Sequence, residues 1–98
     1  MTPASFKLSM SNSAPPDGLA PALAALWWAG KHDWERAHKL VMEEDGGDGA
    51  WVHAHLHRLE GDLDNANYWY RAARRPPADG ALQEEWEAML ATLLARGG

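Results

Sequence analysis

The chain has 98 residues, a length that suits one small domain, and its formal charge of -5 argues against general nucleic-acid binding, which normally uses a basic patch. It contains no cysteine, which excludes disulfides and Cys-ligated zinc. No stretch approaches the roughly 18 apolar residues that span a bilayer, so we expect a cytoplasmic protein without a membrane or nucleic-acid partner.

The N-terminal segment, residues 1–16, is rich in Ser, Pro and Ala and follows no clear helical period. We predict that it forms a flexible N-terminal tail, mobile or extended, in front of a single helical domain at residues 17–98. Phe6, Leu8 and Met10 alternate along it. A short strand-like segment lying on the domain is therefore the alternative.

The remainder of the chain predicts an all-α fold of five helices, each with an aspartate at its start as a candidate N-cap. The capping residues are Asp17, Asp33, Asp48, Asp62 and Asp79. The helices they begin are expected to end near Gly30, Glu44, Glu60, Arg74 and Ala95. The fifth helix carries a one-sided apolar stripe, as expected of a helix that packs on a core.

Two helix pairs within this region repeat at an offset of 29 positions, which places Asp33 over Asp62. The following alanines match as well, since Ala37 overlies Ala66 in the same register. The second pair then continues with an aromatic residue, Tyr70, and ends at prolines. Small residues at such positions allow close approach of neighbouring helices.

This pattern, from Asp17 to Pro77, resembles the tetratricopeptide repeat (TPR), a helix–turn–helix unit, as found in small bacterial helical proteins. The resemblance implies a right-handed superhelix of two TPR-like α-hairpins with the fifth helix as a C-terminal cap. It further implies a non-enzymatic protein–protein interaction module that receives a protein or peptide on its concave face. The residues expected on that face are Leu26, Trp51, His55 and Arg58. An ordinary solvated face, or a homodimer formed through the fifth helix, remains open.

The histidines of the third predicted helix suggest a different function. His53 and His57 are four residues apart and share one helix face, where His-x3-His can chelate a metal. Glu60 follows on the same side. A third ligand is expected from His32 or His38 of the neighbouring helix.

The alternative is that His53 and His57 are structural and bond to the backbone or to Tyr68 or Tyr70. Gly-rich phosphate loops, Ser-centred elbows and His-Glu-x2-His motifs do not occur in the sequence. We therefore expect no enzymatic activity and no cofactor. Protein binding is the leading expectation, and a metal- or small-ligand-binding helical protein is the alternative.

Overall fold

The structure is a computed structural model that describes residues 1–96. Within that part of the chain it contains six helices and no strand, which confirms the all-α class and adds one helix to the five expected. The helices are α1 (Pro3–Ser9), α2 (Pro21–Gly30), α3 (Trp34–Val41), α4 (Gly47–Leu59), α5 (Leu63–Ala73) and α6 (Leu82–Ala95). Residues 97 and 98, with which the predicted domain ends, lie outside the described residues.

The additional helix, α1, corrects the prediction of a mobile or extended tail. The side chain of Thr2 accepts a hydrogen bond from the backbone N–H of Ser5, whose own side chain accepts one from the N–H of Thr2. This reciprocal capping box favours a helix start. Phe6 is fully buried, with its ring 6.1 Å from that of Trp86 on α6. Residues 3–9 are therefore part of the packed body.

Two of the predicted aspartate caps are present. The side chain of Asp33 accepts a hydrogen bond from the backbone N–H of Arg36 at 3.1 Å. That of Asp62 accepts one from Asn65 at 3.2 Å. Each aspartate therefore fixes the first residue of its helix, α3 or α5, as the sequence predicted.

The other three predicted caps are wrong. The N-cap residues of α2, α4 and α6 make no side-chain cap hydrogen bond. They are Ala20, Gly46 and Ala81 rather than Asp17, Asp48 and Asp79. The start of α2 falls at Pro21, which is well suited to the first helical position because its missing N–H would be unbonded there anyway.

The internal repeat is present in the geometry of two turns. Asp33 donates its backbone N–H to the carbonyl of Trp28, and Asp62 donates its own to the carbonyl of His57, both at 2.9 Å. The residue before each aspartate has a left-handed backbone, with a φ of 64° at His32 and 83° at Gly61. Both turns thus have the six-to-one bond that typically ends a helix.

Alanines lie where the helices meet, as the repeat pattern predicted. Ala25, Ala37, Ala54 and Ala66 are each at most 1% exposed, and Ala73 is half-buried against the core. In such positions a small side chain lets two helices approach closely while larger neighbours fill the space beside them. Consecutive helices accordingly pack as the pairs α2–α3 and α4–α5, and α3 also contacts α4.

The last helix, α6, packs across α2 and α4, the first helices of the two pairs, and α1 packs on α6. The indole N–H of Trp86 donates to the backbone carbonyl of Leu26 on α2 at 2.9 Å. Met89, Leu90 and Leu93 of the predicted stripe are buried. The side of α2 and α4 that the repeat resemblance assigns to a concave binding face is therefore covered by the chain itself.

Candidate metal centre

Three imidazoles meet between α3 and α4. His38 lies on α3, while His53 and His57 lie one turn apart on α4. One ring nitrogen of each comes within 4.8 Å of the corresponding atoms of the other two. The closest recorded pair is Nε2 of His38 and Nε2 of His53, at 3.0 Å. We call these three residues the histidine cluster.

Aromatic side chains form the walls of the histidine cluster. The ring of Trp34 stacks on that of His38 with a centroid distance of 4.6 Å, as residues four apart on one helix can do. From α5, Trp69 stacks on His53 at 4.0 Å. The indole N–H of Trp34 donates to the carbonyl of Leu56 at 2.7 Å, which ties α3 to α4 beside the cluster.

The surroundings favour uncharged imidazoles. His53 and His57 are buried, and His38 is half-buried. Burial, followed by the nearby imidazoles of His38 and His57, lowers the pKa of His53 to about 4. Burial and His57 also lower the pKa of His38. At pH 7 both are therefore neutral, and a neutral imidazole has the free lone pair that a metal requires.

One atom of the histidine cluster lacks a partner. Nδ1 of His53 is buried and makes no hydrogen bond. Leaving a buried polar atom unbonded costs about 1–3 kcal/mol, so such atoms are uncommon and call for an explanation such as a bound ion or water. This nitrogen is not the one that faces His38, which is Nε2 of His53.

A carboxylate supports the cluster from the far end of α4. Nδ1 of His57 lies 2.5 Å from Oε1 of Glu60, which places Glu60 on the side of His57 that the sequence predicted. Metal-binding histidines commonly donate their second ring N–H to a carboxylate in this way, which orients the ring and raises the basicity of the other nitrogen. Asp62 lies close by and forms a second group of donors with His57 and Glu60.

The structure also decides between the predicted partners of His53 and His57. Of the two candidates for a third ligand, His38 joins the cluster, whereas His32 is exposed in the turn before α3. The alternative in which tyrosine bonds the histidines is not seen, because the hydroxyl of Tyr70 donates to Glu85.

One distance within the histidine cluster is close to that expected in a four-coordinate metal site. Zinc binds imidazole nitrogen at about 2.0–2.1 Å, so ligand nitrogens in a tetrahedral site lie about 3.3 Å apart. The 3.0 Å separation of the His38 and His53 nitrogens is close to that value. His57 lies in the last turn of α4, where the helix dipole favours a positive charge.

The four residues predicted for a concave binding face lie elsewhere, beneath α6. Leu26 is fully buried, His55 is 1% exposed and Trp51 is 8% exposed. The side chain of Arg58 is 11% exposed. Arg75 also covers the ring of Trp51, with its guanidinium carbon 3.9 Å from the ring centroid. These residues therefore do not form an open surface, and the prediction that they line a concave binding face is corrected.

Instead, two of them belong to a buried polar network centred on Glu85. The carboxylate of Glu85 contacts Nδ1 of His55 at 2.6 Å and accepts hydrogen bonds from Arg58 at 2.8 Å and from Tyr70. Burial alone would raise the pKa of Glu85, but the bonds from His55 and Tyr70 outweigh it and lower the pKa. Burial and the bond to Glu85 raise the pKa of Tyr70. The network joins α4, α5 and α6.

Sequence reasoning missed Glu85 and the two tryptophan walls of the histidine cluster. Trp34 was detectable, since it lies four residues before His38 on the same helix. Trp69 and Glu85 reach their partners from other helices, so no spacing along the chain indicates these contacts.

No protein-family model, curated protein or solved structure matches the chain. Among residues 1–96, no helix has the length and apolar character needed to cross a membrane.

Proposed function

We propose that this protein binds one divalent transition-metal ion, with Zn²⁺ the best fit, through His38, His53 and His57. The observation that carries the proposal is the meeting of three imidazoles from two helices, with one ring nitrogen of each within 4.8 Å of those of the other two.

The donor set favours zinc and its neighbours in the first transition row. Imidazole suits Zn²⁺, Cu²⁺ and Ni²⁺, whereas Mg²⁺ and Ca²⁺ prefer oxygen donors. Because His38 and His53 are neutral at pH 7, a metal does not compete with their doubly protonated, charged forms. The Glu60 carboxylate beside His57 partly offsets the charge of a divalent ion.

Metal binding at this position would join the two helix pairs. One ligand belongs to α3 of the first pair and two belong to α4 of the second. A metal that binds the folded state but not the unfolded chain stabilises the fold by mass action. The proposed role is therefore metal binding coupled to the stability of the interface between the pairs.

Calorimetric titration of the metal-free protein with ZnCl₂ tests this proposal. We expect one ion per chain, with binding lost in His53→Ala and unchanged in His32→Ala, which removes an exposed histidine outside the cluster. Circular dichroism of each variant separates loss of a ligand from loss of fold. No heat of binding together with no zinc by elemental analysis would refute the proposal.

We further propose that α2–α3 and α4–α5 are TPR-like hairpins of a helical repeat. The matching turns at Asp33 and Asp62 and the buried alanines support this classification. The predicted protein–protein interaction role is less well supported than metal binding, because α6 covers Leu26 and Trp51, two of the residues expected to contact a partner.

A further inference from the structure

The two nitrogens of His57 have different surroundings. Nδ1 is engaged by the carboxylate of Glu60 at 2.5 Å. Nε2 is therefore the nitrogen left to bind a metal together with His38 and His53. The two nitrogens point away from each other across the imidazole ring, so a carboxylate bonded to Nδ1 is directed away from a metal on Nε2.

This arrangement assigns Glu60 a supporting contact rather than a place among the ligands. A carboxylate that accepts the Nδ1–H fixes the tautomer of the histidine and the orientation of its ring. The side chain of Glu60 is 39% exposed, whereas that of His57 is 8% exposed, so the carboxylate approaches the ring from the solvent side. The metal donors are then three imidazole nitrogens.

A zinc ion held by three protein ligands typically keeps a fourth position for water or a substrate, whereas structural zinc sites have four protein ligands. Of the three imidazoles here, His38 is half-buried and the other two are buried. His38, on α3, is therefore the most exposed of the three ligands.

Building on the proposed metal binding, we infer that the bound ion keeps one exchangeable coordination position on the α3 side, which takes water or a small monodentate anion. Glu60 is the positioning residue that holds Nε2 of His57 toward the ion. The site is accordingly of the open kind found where a metal meets an external ligand, not the closed kind that only stabilises a fold.

Visible spectroscopy of the full chain loaded with Co²⁺ tests the inference, with sodium azide as the probe ligand. Co²⁺ replaces Zn²⁺ in many imidazole sites and has absorption bands that respond to coordination. We expect the bands to shift with azide in a saturable, one-to-one manner. Bands that stay unchanged up to high azide concentration would overturn the inference, because all positions would then be filled by the protein.

The variant Glu60→Gln separates the two roles open to this residue, and Glu84→Gln, at an exposed position on α6, is the matched control. As a positioning residue, Glu60 should raise metal affinity about 10–100-fold, so Glu60→Gln weakens Co²⁺ binding by that factor and keeps the azide response. A wild-type protein insensitive to azide whose Glu60→Gln variant becomes sensitive would make Glu60 the fourth ligand and overturn the inference.

Failure of the proposed function would look different from failure of this inference. If the wild-type protein binds no Co²⁺ and no Zn²⁺, no absorption bands develop at any metal concentration, and metal binding itself is refuted. If the bands develop but ignore azide, metal binding stands and only the exchangeable position is refuted.

Discussion

Nε2 of His38 and Nε2 of His53 lie 3.0 Å apart and link α3 of the first helix pair to α4 of the second. Two neutral imidazoles in contact share a single proton between these nitrogens. The link is therefore one hydrogen bond, and two coordinate bonds would replace it in the proposed metal complex.

The first prediction concerns stability. Saturating zinc should raise the free energy of unfolding, by about 2.7 kcal/mol when free zinc is 100 times the dissociation constant. Urea denaturation with and without zinc measures this gain. His38→Ala should abolish it, whereas His32→Ala, at an exposed position outside the cluster, should keep it. An equal gain in wild type and His38→Ala would contradict the assignment of His38 as a ligand.

The second prediction concerns the N-terminal helix. Phe6→Ala should destabilise the protein by about 3–4 kcal/mol, because a fully buried ring against Trp86 is replaced by a cavity. Leu8→Ala is the matched control and should change stability by no more than about 0.5 kcal/mol, since Leu8 is 77% exposed. Similar midpoints of thermal unfolding for the two variants would mean that α1 does not pack as described.

A third prediction follows from the two equivalent turns. His32 has a left-handed backbone that costs a non-glycine residue free energy, and Gly61 is its counterpart 29 positions later. His32→Gly should therefore stabilise the protein by about 0.5–1 kcal/mol.

The reciprocal change, Gly61→Ala, should destabilise it by about 1 kcal/mol. An added Cβ at Gly61 meets no atom within 4 Å, so backbone strain is the cause. Denaturant midpoints compare the two variants. A destabilising His32→Gly would show that the imidazole makes contacts that outweigh the strain.

The fourth prediction is a pH dependence set by Glu85. Because bonds from His55 and Tyr70 lower its pKa in the folded state below the usual 4.5, the unfolded chain takes up the proton first as the pH falls. The stabilisation from Glu85 should be complete above pH 4.5 and should be lost progressively below it.

The variant Glu85→Gln isolates this contribution. It should destabilise the protein by about 1–3 kcal/mol at pH 7, because the half-buried Arg58 loses its charged partner, and it should flatten the decline of stability in acid. Urea denaturation at several pH values measures both effects. Parallel pH profiles for wild type and Glu85→Gln would exclude Glu85 as the source of the acid sensitivity.

Several features of the fold were predictable because they depend on neighbouring residues. The caps Asp33 and Asp62 each bond a backbone N–H three residues ahead, so a local sequence pattern was enough to find them. The start of α6 was misplaced because Asp79 precedes a helix that begins only at Leu82. An aspartate near a helix start is a candidate cap, and the backbone decides whether it acts as one.

The position of α6 was not predictable in the same way. Its apolar stripe indicated that one face is buried, but a stripe does not specify what covers it. In the structure that face lies on α2 and α4 rather than only on the second pair, which buries Leu26 and His55. Because α6 covers these residues, the concave binding face expected from the repeat pattern is not exposed.

Part of the candidate site could be predicted from the sequence. His53 and His57 share a helix face through their spacing alone. Which histidine completes the cluster depends on how α3 lies against α4, and that register involves the bond from Trp34 to the carbonyl of Leu56. A contact between helices of this kind has no signature in the spacing of a single sequence.

X-ray absorption at the zinc K-edge of the protein loaded with one equivalent of Zn²⁺ is the most direct test of the metal centre. The arrangement of His38, His53 and His57 predicts scattering from three imidazole rings with nitrogen at about 2.0 Å, falling to two rings in His38→Ala. A zinc shell made of oxygen donors, or a spectrum that His38→Ala leaves unchanged, would contradict it.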